Sequence, residues 1–227
     1  REGRLSHTWK AGQAKVEGML DDYCFVGLGL VELFKLTGDM ALLEWARELW
    51  EAVLSRFRDV EGGGFFETPA DSEPLLLRQK AFFDAATPSG NGAAALLGLW
   101  LGRYYGRNDW ELQAEEVAGQ VADHLLRAVA GFGTILQVIE FLATPGRELV
   151  IVGPPERRVA FEDAAATRFL PWTAIAPTPD ADGLPMFEGR GRFYVTAAWA
   201  SEGSERLVAT GTGGQRNMSG TRVQPAD

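Results

Sequence analysis

The stretch LGLVELFKLTGDMALLEWARELWEAV, residues 28–53, decides the fold because its pattern recurs 68 positions later, at residues 96–121. The matching pairs are Leu28 and Leu96, Leu33 and Leu101, Gly38 and Gly106, Ala46 and Ala114, Glu48 and Glu116, and Val53 and Val121. A helical unit that repeats in this way cannot bury its apolar face alone and stacks on its neighbours. The recurrence predicts a mainly α protein with a stacked or toroidal architecture, and we expect a partial (α/α) toroid of helical hairpins.

Each repeat pairs an apolar helix with an amphipathic one. Residues 22–36 are apolar nearly all round, which predicts an inner helix buried on most sides. Asp21 or Asp22 is a suitable N-cap, and Gly38 a suitable end. An amphipathic outer helix follows, to about residue 57. The second repeat predicts helices over 89–105 and 109–129, and a further helix is predicted over 133–143.

Two regions depart from the helical period. Residues 64–68 and 75–78 predict a β-hairpin insertion between the two repeats. Residues 148–153, 157–169 and 173–176 predict strand, helix and strand, a small βαβ-like unit. The domain organisation that follows is a helical domain over 1–147, a βαβ-like unit over 148–189 and a poorly ordered tail over 190–227.

The composition narrows the function classes. A net charge of −9 over 227 residues argues against a nucleic-acid or anionic-membrane partner. No apolar run reaches the roughly 18 residues of a membrane span, and we expect a cytoplasmic location. The single cysteine, Cys24, excludes an internal disulfide within these residues, and two histidines argue against a His-rich metal site. We predict no metal and no cofactor, and expect the chain to be a piece of a longer protein.

The loops that lead into the inner helices of a toroid meet at one opening, and their polar side chains form the candidate site. Sugar chemistry needs carboxylates that protonate a leaving oxygen or activate water, beside aromatic rings that stack on the sugar. The candidate catalytic residues are Asp21, Asp22, Glu67 and Asp84. The candidate substrate-binding residues are His7, Trp9, Lys15, Tyr23, Arg78, Lys80, Ser89 and Asn91.

Structural interpretations compete with these roles. An aspartate at a helix start is a cap more often than a catalyst, and Ser89 follows Pro88 with no nucleophile elbow around it. Phe82 and Phe83 are more often core residues than a stacking platform. Two hairpins cannot close a ring, so apolar helix faces are expected to be exposed and the chain to self-associate.

Several motifs together resemble one protein family. They are Gly18-Met19-Leu20-Asp21-Asp22-Tyr23, Gly62-Gly63-Gly64-Phe65-Phe66, Arg78-x-Lys80, Asp84, Pro88-Ser89-Gly90-Asn91-Gly92 and Glu148-Leu149-Val150-Ile151-Val152-Gly153. In this order, across about residues 3–187, the chain resembles the C-terminal part of the thioredoxin-domain-containing proteins of the spermatogenesis-associated type. Residues 192–197 stand where that family has an aromatic-Val-Cys segment, and no cysteine follows them.

The resemblance implies a six-hairpin glycosidase-like helical domain preceded, in the full-length protein, by a thioredoxin-like domain. Two functions stay open. One is a carbohydrate-active or carbohydrate-binding domain, similar to glycoside hydrolases or sugar epimerases, with a small carbohydrate ligand. The other is a non-catalytic binding or scaffold domain that serves the upstream thioredoxin-like domain. Similarity of fold alone does not choose between them.

Overall fold

A computed structural model describes residues 4–72 and 76–179, and the backbone of residues 193–200 and 204–211. The chain divides into two compact units. Of the described residues, the first unit contains those up to Glu32 and those within Asp39–Arg103 and Arg107–Pro145. The second contains Leu33–Gly38, Tyr104–Gly106 and the described residues from Gly146 onward.

Two helical hairpins follow the 68-residue spacing, which confirms the predicted repeat. The first is α1 (Leu20–Thr37) and α2 (Met40–Arg56), and the second is α3 (Gly90–Tyr105) and α4 (Asn108–Gln120). The turn glycines Gly38 and Gly106 have φ values of 69° and 65°. This left-handed conformation favours glycine and ends the inner helix of each hairpin one residue earlier. Closure of such hairpins into a toroid stays a prediction.

The helix predicted over 109–129 is interrupted. After α4 come a one-turn helix, α5 (Ala122–Leu125), a 3₁₀ turn (Val129–Gly131) and then α6 (Gly133–Ala143). The break falls at Val121, whose φ of −106° and ψ of 1° lie outside the helical range. Gly119, two residues earlier, weakens the helix because glycine has low helix propensity. Helix α6 lies where the sequence predicts it.

A β-hairpin lies in the opening segment. Strands β1 (Ser6–Lys10) and β2 (Gln13–Glu17) pair antiparallel around Ala11 and Gly12, which both have positive φ. Two central residues with positive φ are typical of a tight hairpin turn. Every residue of β1 is exposed.

The prediction of strands at 64–68 and 75–78 is wrong for the described residues there, and residue 75 lies outside them. This segment has one isolated bridge, between Arg58 and Phe65, and a backbone hydrogen bond from Glu67 N to Gln79 O. The physical reason is Asn91, whose side-chain amide takes both the N–H and the C=O of Phe65 that a strand partner would use.

The second unit confirms the small βαβ-like arrangement. Strand β3 (Arg147–Val152), helix α7 (Pro155–Ala166) and strand β4 (Thr173–Thr178) follow in order, and β3 and β4 are parallel. The sequence predicts no strand in 190–227, yet β5 (Phe193–Ala200) pairs parallel with β3 and β6 (Ser204–Gly211) pairs antiparallel with β5. The other residues of that predicted tail lie outside the described part of the chain.

Candidate binding site at the helix starts

The first turns of α1, α3 and α6 meet at one end of the first unit. A Cβ atom built on Gly90 would lie 3.0 Å from Leu20 Cδ2, so the starts of α3 and α1 are in contact. Asp84 accepts hydrogen bonds from Ser89 N, next to α3, and Thr134 N, in α6. We call residues 19–23, 84–91 and 132–134 the helix-start cluster. The converging loops that the repeat predicts are therefore present.

The predicted acids Asp21 and Asp22 bond to the backbone at the start of α1. Asp22 Oδ2 accepts from Met19 N at 2.8 Å. This is the half of a capping box in which the side chain at N3 accepts the backbone N–H of the N-cap residue. The same oxygen lies 2.8 Å from His7 Nδ1, and the pKa of His7 is raised by this hydrogen bond and by the charge of Asp22. Asp21 Oδ1 accepts from Asp22 N at 3.0 Å. The Asp22 carboxylate thus holds a helix start and the β1–β2 hairpin.

Asp84 holds two helix starts at once. Its Oδ1 lies 2.8 Å from Ser89 N and its Oδ2 lies 2.7 Å from Thr134 N. Burial raises the pKa of Asp84, but the hydrogen bonds from Thr134 and Ser89 outweigh it, so the pKa is below the usual range. A general acid in sugar hydrolysis needs a raised pKa. Asp84 has the opposite property and stays ionised at neutral pH.

Ser89 and Asn91, both predicted to bind substrate, are buried. Ser89 Oγ accepts from Gly92 N at 3.3 Å, which is the contact of an N-cap. The Asn91 amide accepts from Phe65 N at 2.7 Å and donates to Phe65 O and Ala81 O at 2.8 and 3.0 Å. All three contacts fix the segment between the two hairpins to the start of α3.

Tyr23 is fully buried and ties the opening segment to the first hairpin. Its hydroxyl accepts from Leu5 N at 3.0 Å and from Arg56 Nη1 at 2.7 Å. Arg56 also pairs with Glu17 of β2 and, at 2.8 Å, with Asp71. Sequence reasoning did not find this ion-pair network, because a charged residue in the last turn of a helix gives no signal of its partners.

Lys80 and Arg78, both predicted to bind substrate, have partners within the fold. Lys80 Nζ lies 2.6 Å from Asp59 Oδ2 and donates to Gly63 O at 2.5 Å. The N–H of Gly62 and the Lys80 ammonium lower the pKa of Asp59 to about 2. Arg78 donates to Thr68 O at 3.2 Å, and its guanidinium lies 4.1 Å from the centre of the Phe66 ring. Both cations stabilise the loop in which they lie.

The remaining predicted residues are more accessible. Glu67 is half-buried, and within the described residues its carboxylate has no hydrogen bond, although its backbone oxygen accepts from Leu20 N. Trp9 is 73% exposed and lies two residues after His7, on the same face of β1. Lys15 is also exposed. Phe83, beside Asp84, is 56% exposed. Phe83 thus reaches solvent next to the helix-start cluster, and Trp9 reaches solvent from the β1–β2 hairpin.

The described residues lack two other kinds of feature. They contain no group of three or more His, Cys, Asp or Glu side chains that could hold a metal ion. Among the helices described, none has the length and apolar character needed to cross a membrane.

The chain is homologous to spermatogenesis-associated protein 20. It is 30% identical to the proteins of that name from Mus musculus and Rattus norvegicus over 165 residues, 69% of this chain and 21% of each relative. It is 30% identical to the Homo sapiens protein over 137 residues, 60% of this chain and 17% of that relative. The chain therefore spans about a fifth of the length of these curated relatives. No protein-family model matches it.

Proposed function

We propose that this chain is part of a carbohydrate-binding helical domain that does not hydrolyse its ligand through the aspartates of the helix-start cluster. One observation carries the proposal: Asp22 and Asp84 accept backbone N–H groups at the helix starts, and the pKa of Asp84 is lowered. Glycoside hydrolysis needs two carboxyl groups, one with a raised pKa. Carboxylates that cap helices are engaged by backbone N–H groups and are poorly suited to proton transfer, which supports binding without turnover.

The accessible side chains of the β1–β2 hairpin and of Phe83 support carbohydrate as the ligand class. Small-molecule sites combine aromatic surface with a few placed polar groups. Trp9 and Phe83 provide aromatic surface, and His7 and Lys15 provide exposed polar groups. The resemblance to a six-hairpin glycosidase-like domain supports the same class. On that resemblance, the domain would serve an upstream thioredoxin-like domain in the longer protein.

A second candidate function is hydrolysis or epimerisation that uses Glu67. Its carboxylate is the one predicted acid without a hydrogen bond among the described residues, which leaves it able to act on a ligand. Phe66 precedes it in the chain and supports the guanidinium of Arg78. This candidate requires a second acid or base close to Glu67, which a ligand complex would reveal.

The test is a thermal-shift screen of the full chain with neutral, acidic and phosphorylated mono- and oligosaccharides, followed by a reducing-sugar assay on each hit. We expect a sugar that raises the melting temperature without being cleaved. Asp84→Asn should lower the melting temperature yet keep the ligand-induced shift, and Asp123→Asn, an exposed acid of α5, is the matched control. Cleavage that is lost in Asp22→Asn or Asp84→Asn would contradict the proposal, and cleavage lost only in Glu67→Gln would favour the second candidate.

A further inference from the structure

Phe83 is a large apolar side chain that is half exposed and yet closely seated. A Cβ atom built on Gly131 would lie 1.9 Å from Phe83 Cε2 and 2.1 Å from Cζ, so the ring rests directly on the glycine backbone. Any larger residue at position 131 would displace the ring. Gly131 is buried beneath it. The absence of a side chain at 131 therefore creates the seat of the Phe83 ring.

Two further contacts fix the same ring. Phe132 meets it edge to face, with ring centres 5.4 Å apart and planes at 77°. The next residue, Asp84, donates its backbone N–H to Gly131 O at 2.7 Å. Because the Asp84 carboxylate accepts hydrogen bonds from Ser89 N and Thr134 N, the chain at Phe83 and Asp84 is tied to the starts of α3 and α6. The ring is preorganised, so little conformational entropy is lost when a ligand covers it.

The neighbouring Phe82 shows that this arrangement is specific to Phe83. Phe82 is less exposed, and its Cζ lies 3.2 Å from a Cβ built on Gly64, in the loop between the hairpins. It therefore packs within the fold. Burial of a phenylalanine ring stabilises a fold, and at Phe83 the fold gains only part of that free energy. A fixed ring with 56% of its surface in water is suited to stacking.

We propose that Phe83, seated on Gly131, is the stacking platform for a pyranose ring beside the helix-start cluster. The inference rests on the proposed function and adds to it the subsite and the residue that forms it. A pyranose presents a face of C–H groups, which covers an exposed aromatic ring while its hydroxyl groups stay in water or meet polar side chains. Both oxygens of the adjacent Asp84 carboxylate already accept N–H groups, so the platform suits a neutral ring.

The experiment measures the dissociation constant of the full chain for cellobiose by NMR titration, with acyclic sorbitol as the ligand control. Gly131→Ala displaces the Phe83 ring without removing it, and Phe83→Leu keeps apolar bulk without planarity. We expect both to weaken cellobiose binding about tenfold, the size of one stacking contact. Phe83→Tyr should bind within about twofold of the natural chain. Gly119→Ala, where an added Cβ meets nothing within 4 Å, is the matched glycine control.

The outcomes separate this inference from the proposed function. Cellobiose binding that is unchanged in Gly131→Ala and Phe83→Leu would overturn the platform and leave the proposed function standing. Equal weakening in Phe83→Leu and Phe83→Tyr would also overturn it, because a planar ring would then not be the determinant. No binding of cellobiose or of any other pyranose in the screen would overturn both. Melting temperatures of all variants distinguish lost binding from lost folding.

Discussion

The two helical hairpins have matching sequence patterns and very different surroundings. In the second, every residue from Ser89 to Tyr104 is buried. In the first, α1 exposes the apolar side chains of Val26, Leu33 and Leu36. The equivalent positions Leu33 and Leu101 are 48% and 0% exposed. The repeat therefore fixes which residues are apolar, whereas the neighbours of each helix decide which of them are buried.

The starts of the two inner helices, α1 and α3, can also be compared through their polar contacts. Tyr23 and Asn91 are equivalent at the 68-residue spacing, and both are fully buried. Tyr23 holds the opening segment through Leu5 N, and Asn91 holds the segment between the hairpins through Phe65 and Ala81. The Tyr23 hydroxyl and the Asn91 amide thus each anchor the preceding segment to the start of an inner helix. Neither is placed to meet a ligand.

The largest expected effect is at Asn91. Asn91→Ala leaves the N–H and C=O of Phe65 without partners in a buried place, and each such group costs about 1–3 kcal/mol. We expect the free energy of unfolding to fall by about 4 kcal/mol in guanidinium titrations. Tyr23→Phe should lower it by only about 1 kcal/mol, since it removes one hydroxyl. Equal losses in the two variants would contradict this prediction.

Apolar truncation at equivalent positions should show the next largest difference. Leu101→Ala creates a cavity in a closely packed site and is expected to cost about 3 kcal/mol. Leu33→Ala removes a half-exposed side chain and should cost less than about 1 kcal/mol. Paired denaturation curves measure both values. A loss at Leu33 as large as that at Leu101 would show that α1 is covered in solution.

The next prediction concerns self-association through α1. The exposed apolar side chains of α1 are expected to join copies of the chain, because apolar surface of this kind drives association. Leu36→Glu should shift light-scattering mass toward the monomer with little change in melting temperature. Leu112→Glu, at an exposed leucine of α4, is the control and should leave the mass unchanged. A monomeric natural chain would refute the expectation.

The smallest effect concerns the β1–β2 hairpin. Asp22 raises the pKa of His7. The His7–Asp22 contact therefore stabilises the hairpin fully below about pH 6.5, and this stabilisation is lost as the pH rises through the pKa of His7 in the folded chain. We expect lower hydrogen-exchange protection of the hairpin amides at about pH 8.5 than at about pH 5.5, after correction for intrinsic rates. His7→Ala should abolish this difference, and His124→Ala should keep it. Equal protection at both pH values would contradict the assigned role of the His7–Asp22 contact.

Much of the fold could be predicted because periodicity is a local property. The apolar period and the turn glycines Gly38 and Gly106 predict both hairpins, and alternating strand and helix patterns predict the βαβ-like unit. The strands predicted near Phe65 failed because a distant side chain, Asn91, takes the hydrogen bonds of that backbone. The break at Val121 and the strands after residue 192 depend on contacts that no local pattern reports.

The meeting of the helix starts could be predicted from the sequence, but the contacts of their side chains could not. The repeat indicates that the helix starts meet, and Asp84 does join two of them. A carboxylate that caps a helix and one that transfers a proton look alike in sequence, since both follow a loop. The seat of Phe83 depends on Gly131, which lies 48 positions further along the chain, so spacing alone could not reveal it.

The most direct test of the central claim, that the aspartates here are structural, is an NMR titration of the side-chain carboxyl carbons of the folded chain. We predict that Asp84 titrates below the usual aspartate pKa of about 3.9, and Asp59 at about 2. Because both pKa values are lowered by folding, stability should fall as the pH drops from about 4 toward 2. A pKa of Asp84 raised to about 6, as in a general acid, would contradict the structural role of this carboxylate.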